Sequence, residues 1–193
     1  IPEGREPIRE GDDEKPVTNY AKMKSETEHA FAADLRHIKN VIGCIMRVPP
    51  VYTLEMHDNL LAKITDPKDH TNFVYRTGEY GFHFCCVHNL ADFILCYLRQ
   101  ADSPSCTGVY NVADKNLIMA SEIVNFISKN GRLGPVLQRN PGKDILSSIF
   151  KFKNNKEEKT NYRYLDFSTI TRNTMYDTNK ASRYCPFRWD LSN

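Results

Sequence analysis

The sequence has no Gly-x-Gly-x-x-Gly or Gly-x-x-Gly-x-x-Gly motif, and its nine glycines are scattered along 193 residues. A glycine-rich loop is what lets a backbone approach a pyrophosphate at the start of a helix, because a side chain there would block the approach. The sequence therefore excludes a complete dinucleotide site within these residues.

Other absences exclude further classes of function. The six cysteines contain no CxxC pair and the six histidines show no metal-ligand spacing, so we expect no metal site. Cysteines within apolar runs indicate reduced thiols and an intracellular reducing compartment, cytoplasm or organelle matrix. No apolar run approaches the roughly 20 residues that span a bilayer. A net charge of +2 offers no strong field for nucleic acid.

What the sequence does contain is Tyr20 and Lys24, four residues apart in a segment that predicts a helix over residues 19–38. Residues i and i+4 of a helix share one face, so a phenol and an ammonium would project side by side. A nearby cation favours the ionised phenol, which brings a tyrosine within reach of acid–base chemistry. The same spacing also fits an ordinary solvated helix face.

The remaining pattern alternates short apolar runs with amphipathic segments, which is typical of an α/β fold with a parallel sheet. Strands are predicted at residues 41–46, 73–75, 82–87, 108–112 and 136–138. Helices are predicted at residues 58–64, 90–99, 120–129, 143–150 and 178–184. Residues 1–17 and the charge-dense run 151–159 are predicted to be exposed loops.

Several segments resemble the extended short-chain dehydrogenase/reductase family, which includes NAD-dependent epimerases, dehydratases and 3β-hydroxysteroid dehydrogenase-like enzymes. Pro16, Tyr20, Lys24 and Glu28 match the spacing of its catalytic helix. Further matches are Arg47 to Tyr52 (with Thr53 where the family usually has glycine), Cys86 to Asp92, Gly108 to Asp114, Ser121 to Val124 and Tyr176 to Ala181.

The resemblance covers nearly the whole chain, while the family's glycine-rich loop, acidic ribose ligand and catalytic Ser or Thr would precede Ile1. Residues 1–193 are therefore expected to be the C-terminal portion of one family domain, without its N-terminal dinucleotide-binding half. The implied fold is an incomplete Rossmann-like doubly wound parallel sheet with a small substrate-binding subdomain. A complementary polypeptide carrying the N-terminal half is the implied partner, and a larger assembly or homo-oligomer stays open.

The resemblance also implies roles for individual residues. Tyr20 would donate or accept a proton at the substrate oxygen, and Lys24 would lower its pKa and hydrogen-bond the nicotinamide ribose. Val48, Pro49 and Pro50 would line the nicotinamide of NAD or NADP. The reaction implied is hydride transfer at a hydroxyl or keto group.

The substrate is left between a sugar nucleotide and a sterol-like molecule, with Tyr52, Arg76 and Phe82 as the candidate contacts. Phe82 stands where sugar-nucleotide enzymes usually place a phosphate-binding arginine, although Arg76 could supply that charge. Asn89 favours the 3β-hydroxysteroid dehydrogenase-like pattern.

Two other classes of protein stay open. One is a catalytically silent structural subunit of a larger assembly, and the other is a binding module that folds alone.

Overall fold

The computed structural model describes residues 7–16, 18–129, 133–140 and 174–192. The helices are α1 (Asn19–Leu35), α2 (Asp58–Leu61), α3 (Val87–Gln100), α4 (Ala120–Lys129) and α5 (Asn179–Ser182), with a 3-10 turn at Pro104–Cys106. The strands are β1 (Cys44–Arg47), β2 (Val51–Tyr52), β3 (Asn72–Tyr75), β4 (Gly81–Phe82), β5 (Cys85–Cys86), β6 (Gly108–Asn111), β7 (Ile118–Met119) and β8 (Val136–Arg139).

The strands pair two by two, and three of the four pairs are parallel. β1 pairs with β6, β2 with β5, and β3 with β8, whereas β4 and β7 are antiparallel. Helix α3 lies on the chain between β1 and β6, as a parallel crossover requires. The predicted α/β class with an incomplete parallel sheet is confirmed.

Buried side chains form two clusters, one for each part of the fold. The first gathers β3, β4, α2 and α4 around Leu60, Phe73 and Ile123. The second packs α3 against β6 and α5 around Phe93, Tyr110 and Ala181. The first cluster includes the candidate substrate residue Tyr52, and the second belongs to the parallel β1–β6 pair.

The strand predicted at residues 82–87 is divided, which corrects the sequence interpretation. Phe82 pairs antiparallel with Ile118 in β7, while Cys85 pairs parallel with Val51 in β2. The chain changes partner between these strands, and α3 then begins at Val87. A continuous apolar run carries no periodicity that would reveal either change.

The segment predicted as an exposed loop before α1 is held in place where it is described. The Ile8 N–H donates to the Met175 carbonyl at 2.8 Å, and the Asp177 N–H donates to the Ile8 carbonyl at 2.8 Å. Asn111 adds a hydrogen bond from its N–H to Glu10 Oε1 at 2.9 Å. The helix predicted at residues 143–150 and the loop at 151–159 lie outside the described residues.

Candidate active site

Helix α1 places Tyr20 and Lys24 together, as their spacing predicts. The helix begins behind Thr18, whose Oγ1 accepts a hydrogen bond from the Ala21 N–H at 3.1 Å. The Lys24 ammonium lies 5.6 Å from the centroid of the Tyr20 ring. Tyr20 is 67% exposed, and α1 buries none of its side chains fully. The pair therefore stands on an open face of the helix.

The arginine at the end of β1 joins α1 to the sheet. Arg47 Nε donates to Glu28 Oε2 at 2.9 Å, and the guanidinium also contacts the Glu14 carboxylate. Its Nη1 donates to the Glu10 carbonyl at 3.2 Å. The hydrogen bond with Glu28 is the main cause that raises the pKa of Arg47 above its ordinary value. One side chain thus fixes both the helix and the segment that precedes it.

Val48, Pro49 and Pro50 connect β1 to β2, directly after Arg47. Val48 is half-buried against the second core cluster, Pro49 is buried and Pro50 is exposed. The Pro50 carbonyl accepts from the Cys85 N–H at 3.1 Å, which begins the β2–β5 pairing. The turn is thus held at both ends, and its contact with a nicotinamide stays a prediction.

The three predicted substrate residues have different surroundings. Tyr52 is 1% exposed and packs edge-to-face on Phe84, at 6.0 Å between ring centroids. Phe82 is half-buried and contacts the same Phe84 ring at 6.2 Å. Arg76 is exposed in the turn after β3, with φ of 52°. The structure thus links Tyr52 and Phe82 through one ring, and the roles of all three stay predictions.

A buried carboxylate, Asp114, holds the start of α3. Its Oδ1 accepts from the Cys86 N–H at 2.7 Å and from Asn89 Nδ2 at 2.8 Å. Burial raises the pKa of Asp114, and these hydrogen bonds oppose the rise. Its Oδ2 and the Tyr52 hydroxyl are both buried without a hydrogen-bond partner, and burial followed by the Asp114 carboxylate raises the pKa of Tyr52. Asp114 and Tyr52 are thus polar groups within an apolar core, and with Asn89 they are called the buried polar point below.

Asn89 belongs to this buried point and not to a substrate surface. It is fully buried, and its Nδ2 also donates to the Trp189 carbonyl at 2.8 Å. Its Oδ1 accepts from the Arg188 and Trp189 N–H groups, each at 3.0 Å. The amide thus needs both its donor and its acceptor, because it faces a carboxylate on one side and backbone N–H groups on the other. The hydrogen bonds of Asn89 hold the start of α3 to the C-terminal segment, and the substrate class that its identity favours stays a prediction.

His83 ties the C-terminal segment to the same region. Its Nδ1 accepts from the Tyr176 N–H at 2.9 Å, so its Nε2 carries the proton and donates to the Asp114 carbonyl at 2.6 Å. Burial lowers the pKa of His83. The neutral imidazole is the form that fits both hydrogen bonds.

Sequence reasoning missed Asp114 and His83 as central residues. Asp114 follows the apolar end of a predicted strand, where a charge usually marks a loop, and nothing in that pattern indicates burial. Among the described residues, no group of three or more His, Cys, Asp or Glu side chains is placed to hold a metal ion. No helix in the described part of the chain is long and apolar enough to cross a bilayer.

Comparison with solved structures identifies the fold. The chain is similar to the NAD complex of a UDP-glucuronic acid 4-epimerase from Bacillus cereus, with 15% identity, a TM-score of 0.62, and coverage of 99% of this chain and 54% of the other. It is also similar to the NAD complex of a UDP-glucose 4-epimerase from Thermus thermophilus, with 15% identity, a TM-score of 0.58, and coverage of 99% and 56%.

A third similar structure is the terminal R domain of the myxalamid PKS-NRPS pathway, with 17% identity, a TM-score of 0.58, and coverage of 98% and 51%. No protein-family model and no curated protein matches the sequence. The chain therefore has the fold of about half of each of these three proteins, two of which are NAD-bound epimerases.

Proposed function

We propose that this chain is the catalytic portion of a nicotinamide-dependent oxidoreductase or epimerase whose dinucleotide-binding portion is a separate stretch of polypeptide. The observation that carries the proposal is the Tyr20–Lys24 pair on one face of α1, in a fold shared with NAD-bound epimerases. Tyr20 exchanges a proton with the substrate oxygen. Lys24 favours the ionised phenol and hydrogen-bonds the nicotinamide ribose, while Val48 to Pro50 line the nicotinamide.

The surface of α1 and β1 supports the idea of a complementary polypeptide. β6 pairs with one edge of β1, and among the described residues no strand pairs with the other edge. Exposed apolar side chains of α1, β1 and the loop between them are Tyr20, Met23, Phe31, Ile38, Val41 and Met46. An open parallel edge and exposed apolar groups each favour burial against further polypeptide.

The substrate that we propose carries a hydroxyl or keto group at a ring carbon. A sugar nucleotide and a sterol-like molecule both satisfy the hydride-transfer chemistry, with Tyr52, Arg76 and Phe82 as candidate contacts. Calorimetric titration of the assembled protein with a nucleotide sugar and with a keto-sterol separates them, since each class predicts binding of one titrant only.

The role of Tyr20 is tested in the assembled, full-length protein. Tyr20→Phe keeps the ring and removes the hydroxyl, so turnover should fall by at least about 100-fold, the scale of a lost acid–base group, while NAD binding is unchanged. Lys24→Met should lose both turnover and NAD affinity. The matched control is Lys22→Met, because Lys22 is an exposed lysine on the same helix. Full turnover in Tyr20→Phe would refute the assignment.

The alternative function is a catalytically silent structural subunit. The exposure of Tyr20 and Lys24 favours this alternative. Water around an exposed phenol screens the charge of a neighbouring ammonium, which weakens the effect that acid–base chemistry would need. Its test is NAD binding by the full-length protein under the same assay conditions. Absent binding with intact assembly supports the structural subunit, and tight binding contradicts it.

A further inference from the structure

Helix α3 meets the C-terminal segment along one face, and each side of this contact carries a cysteine. Residues 92, 96 and 100 share that face, because helical residues four apart lie one above the other. Asp92 Oδ2 accepts a hydrogen bond from Arg188 Nη2 at 3.3 Å. One turn beyond Cys96, Gln100 Nε2 donates to the Tyr184 carbonyl at 2.9 Å. Cys96 therefore lies between two contacts that hold the helix to this segment.

Cys185 lies in the same segment, between Tyr184 and Arg188. It is 5% exposed, and its thiol interacts with the Cys96 thiol and with the charges of Asp92 and Arg188. Burial, followed by the Cys96 thiol, raises the pKa of Cys185 to about 11. The hydrogen bonds on either side and the interaction between the thiols agree in placement. They bring together two sulfurs that are distant in sequence.

The two cysteines differ in their access to solvent. Cys96 is half-buried, so a small oxidant can reach its sulfur, whereas Cys185 is buried and protonated at neutral pH. Cys96 is therefore the sulfur that meets an oxidant first. Once oxidised, it has a second thiol beside it, and a neighbouring thiol converts a sulfenic acid into a disulfide before further oxidation.

The oxidant that this chemistry needs is a hydroperoxide. The Cys96 sulfur attacks one peroxide oxygen, so an S–O bond forms, the O–O bond breaks, and with hydrogen peroxide one water leaves. The Cys185 sulfur then attacks the Cys96 sulfur, which forms the S–S bond and breaks the S–O bond. The departing hydroxyl takes the Cys185 proton and leaves as the second water. The two sulfurs lose two electrons, and the peroxide gains them.

We propose that Cys96 and Cys185 are a redox-sensitive pair that closes into a reversible disulfide and clamps the C-terminal segment onto α3. The inference goes beyond the proposed function and does not depend on it. Transient disulfides that sense oxidants are the kind that occurs in reducing compartments, which is the environment predicted from the sequence. The clamp reinforces the hydrogen bonds from the backbone of this segment to Asn89 at the start of α3.

The test is oxidation of the full-length protein with a small excess of hydrogen peroxide. Free thiols are then blocked, and the digested protein is analysed by mass spectrometry without reduction. We expect a peptide pair joined through Cys96 and Cys185, a loss of two free thiols per chain, and recovery of both with dithiothreitol. Cys96→Ser should remove the cross-link. The matched control is Cys44→Ser, which changes another half-buried cysteine and should keep the cross-link.

Two further measurements test the clamp on the parent protein itself, so they do not depend on a variant that folds. Amide exchange in residues 184–189 should slow at least about tenfold after oxidation, because the segment can no longer leave α3. The thermal midpoint should rise by at least about 4 °C, because a disulfide that closes a long loop restricts the unfolded chain. Dithiothreitol should reverse both changes.

Several results would overturn the inference. These are sulfinic acid at Cys96 in place of a disulfide, cross-links that form only between other cysteines, and a loss of fewer than two thiols. Unchanged amide exchange in the cross-linked protein would refute the clamp.

Discussion

Asn89→Asp is the substitution that tests the buried polar point most directly. Asn89 Nδ2 donates to Asp114 Oδ1 at 2.8 Å, so an aspartate would set two carboxylate oxygens against each other in a fully buried position. One carboxyl must then keep a proton at pH 7. Raising a carboxyl pKa from about 4 to about 7 costs about 4 kcal/mol, and we expect a loss of stability of that size.

The loss should depend on pH with a defined sign. The pKa of the new carboxyl pair is raised in the folded state, so the folded protein binds the extra proton between the unfolded value near 4 and its own higher value. The stability deficit of Asn89→Asp is therefore largest at pH 7 and shrinks by about 1.4 kcal/mol for each pH unit toward 5. Adding Asp114→Asn removes the repulsion and should recover part of the loss.

Urea unfolding followed by circular dichroism at pH 5, 6 and 7 measures these differences. The matched control is Asn116→Asp, because Asn116 is an exposed asparagine whose change introduces the same charge. It should stay within about 0.5 kcal/mol of the parent protein at each pH. A deficit in Asn89→Asp below about 1 kcal/mol, or one that is flat with pH, would refute the reasoning about Asp114.

Three further perturbations test other contacts. Arg47→Met removes the hydrogen bond to Glu28, so amide exchange along α1 should accelerate at least about tenfold while the core strands are unaffected; uniform exchange would contradict this. Burial lowers the pKa of His83, so the unfolded chain binds a proton at a higher pH than the folded protein does. The free energy of unfolding should therefore fall by up to about 1.4 kcal/mol for each pH unit below about pH 6.5. His83→Gln should lack this slope. Gly78→Ala should cost about 1–3 kcal/mol in thermal unfolding, because φ is +78° and the new Cβ would lie 2.8 Å from a backbone nitrogen of α4, whereas Gly11→Ala meets nothing within 4 Å and should be neutral.

Much of the fold follows from local pattern. The amphipathic period of α4 predicts its bounds without error, and the apolar runs predict β1 and β6 because both strands belong to the parallel sheet. The division of the run from Gly81 to Cys86 is not predictable in this way, because it depends on two different partner strands that are distant in sequence.

The candidate site likewise contains residues whose placement follows from local sequence and residues whose placement depends on distant segments. Tyr20 and Lys24 lie together because helical spacing alone determines their relation. Asn89 is different, since a polar residue near a helix start is ordinarily assigned to capping or to ligand contact. Its role depends on Asp114, 25 residues later, and on the backbone of the C-terminal segment. Side-chain networks that join distant segments have no periodic signature in sequence.

Helix α1 shows why the proposed site and the proposed assembly depend on each other. None of its side chains is fully buried, and Arg47 is its main polar attachment to the sheet. An isolated helix of this length is only marginally stable in water. The charged hydrogen bond between Arg47 and Glu28 adds only about 1–3 kcal/mol to its stability. Covering the exposed face of α1 would add the apolar contacts that the helix lacks. The same covering would desolvate Tyr20 beside Lys24, which is what acid–base chemistry by a phenol requires.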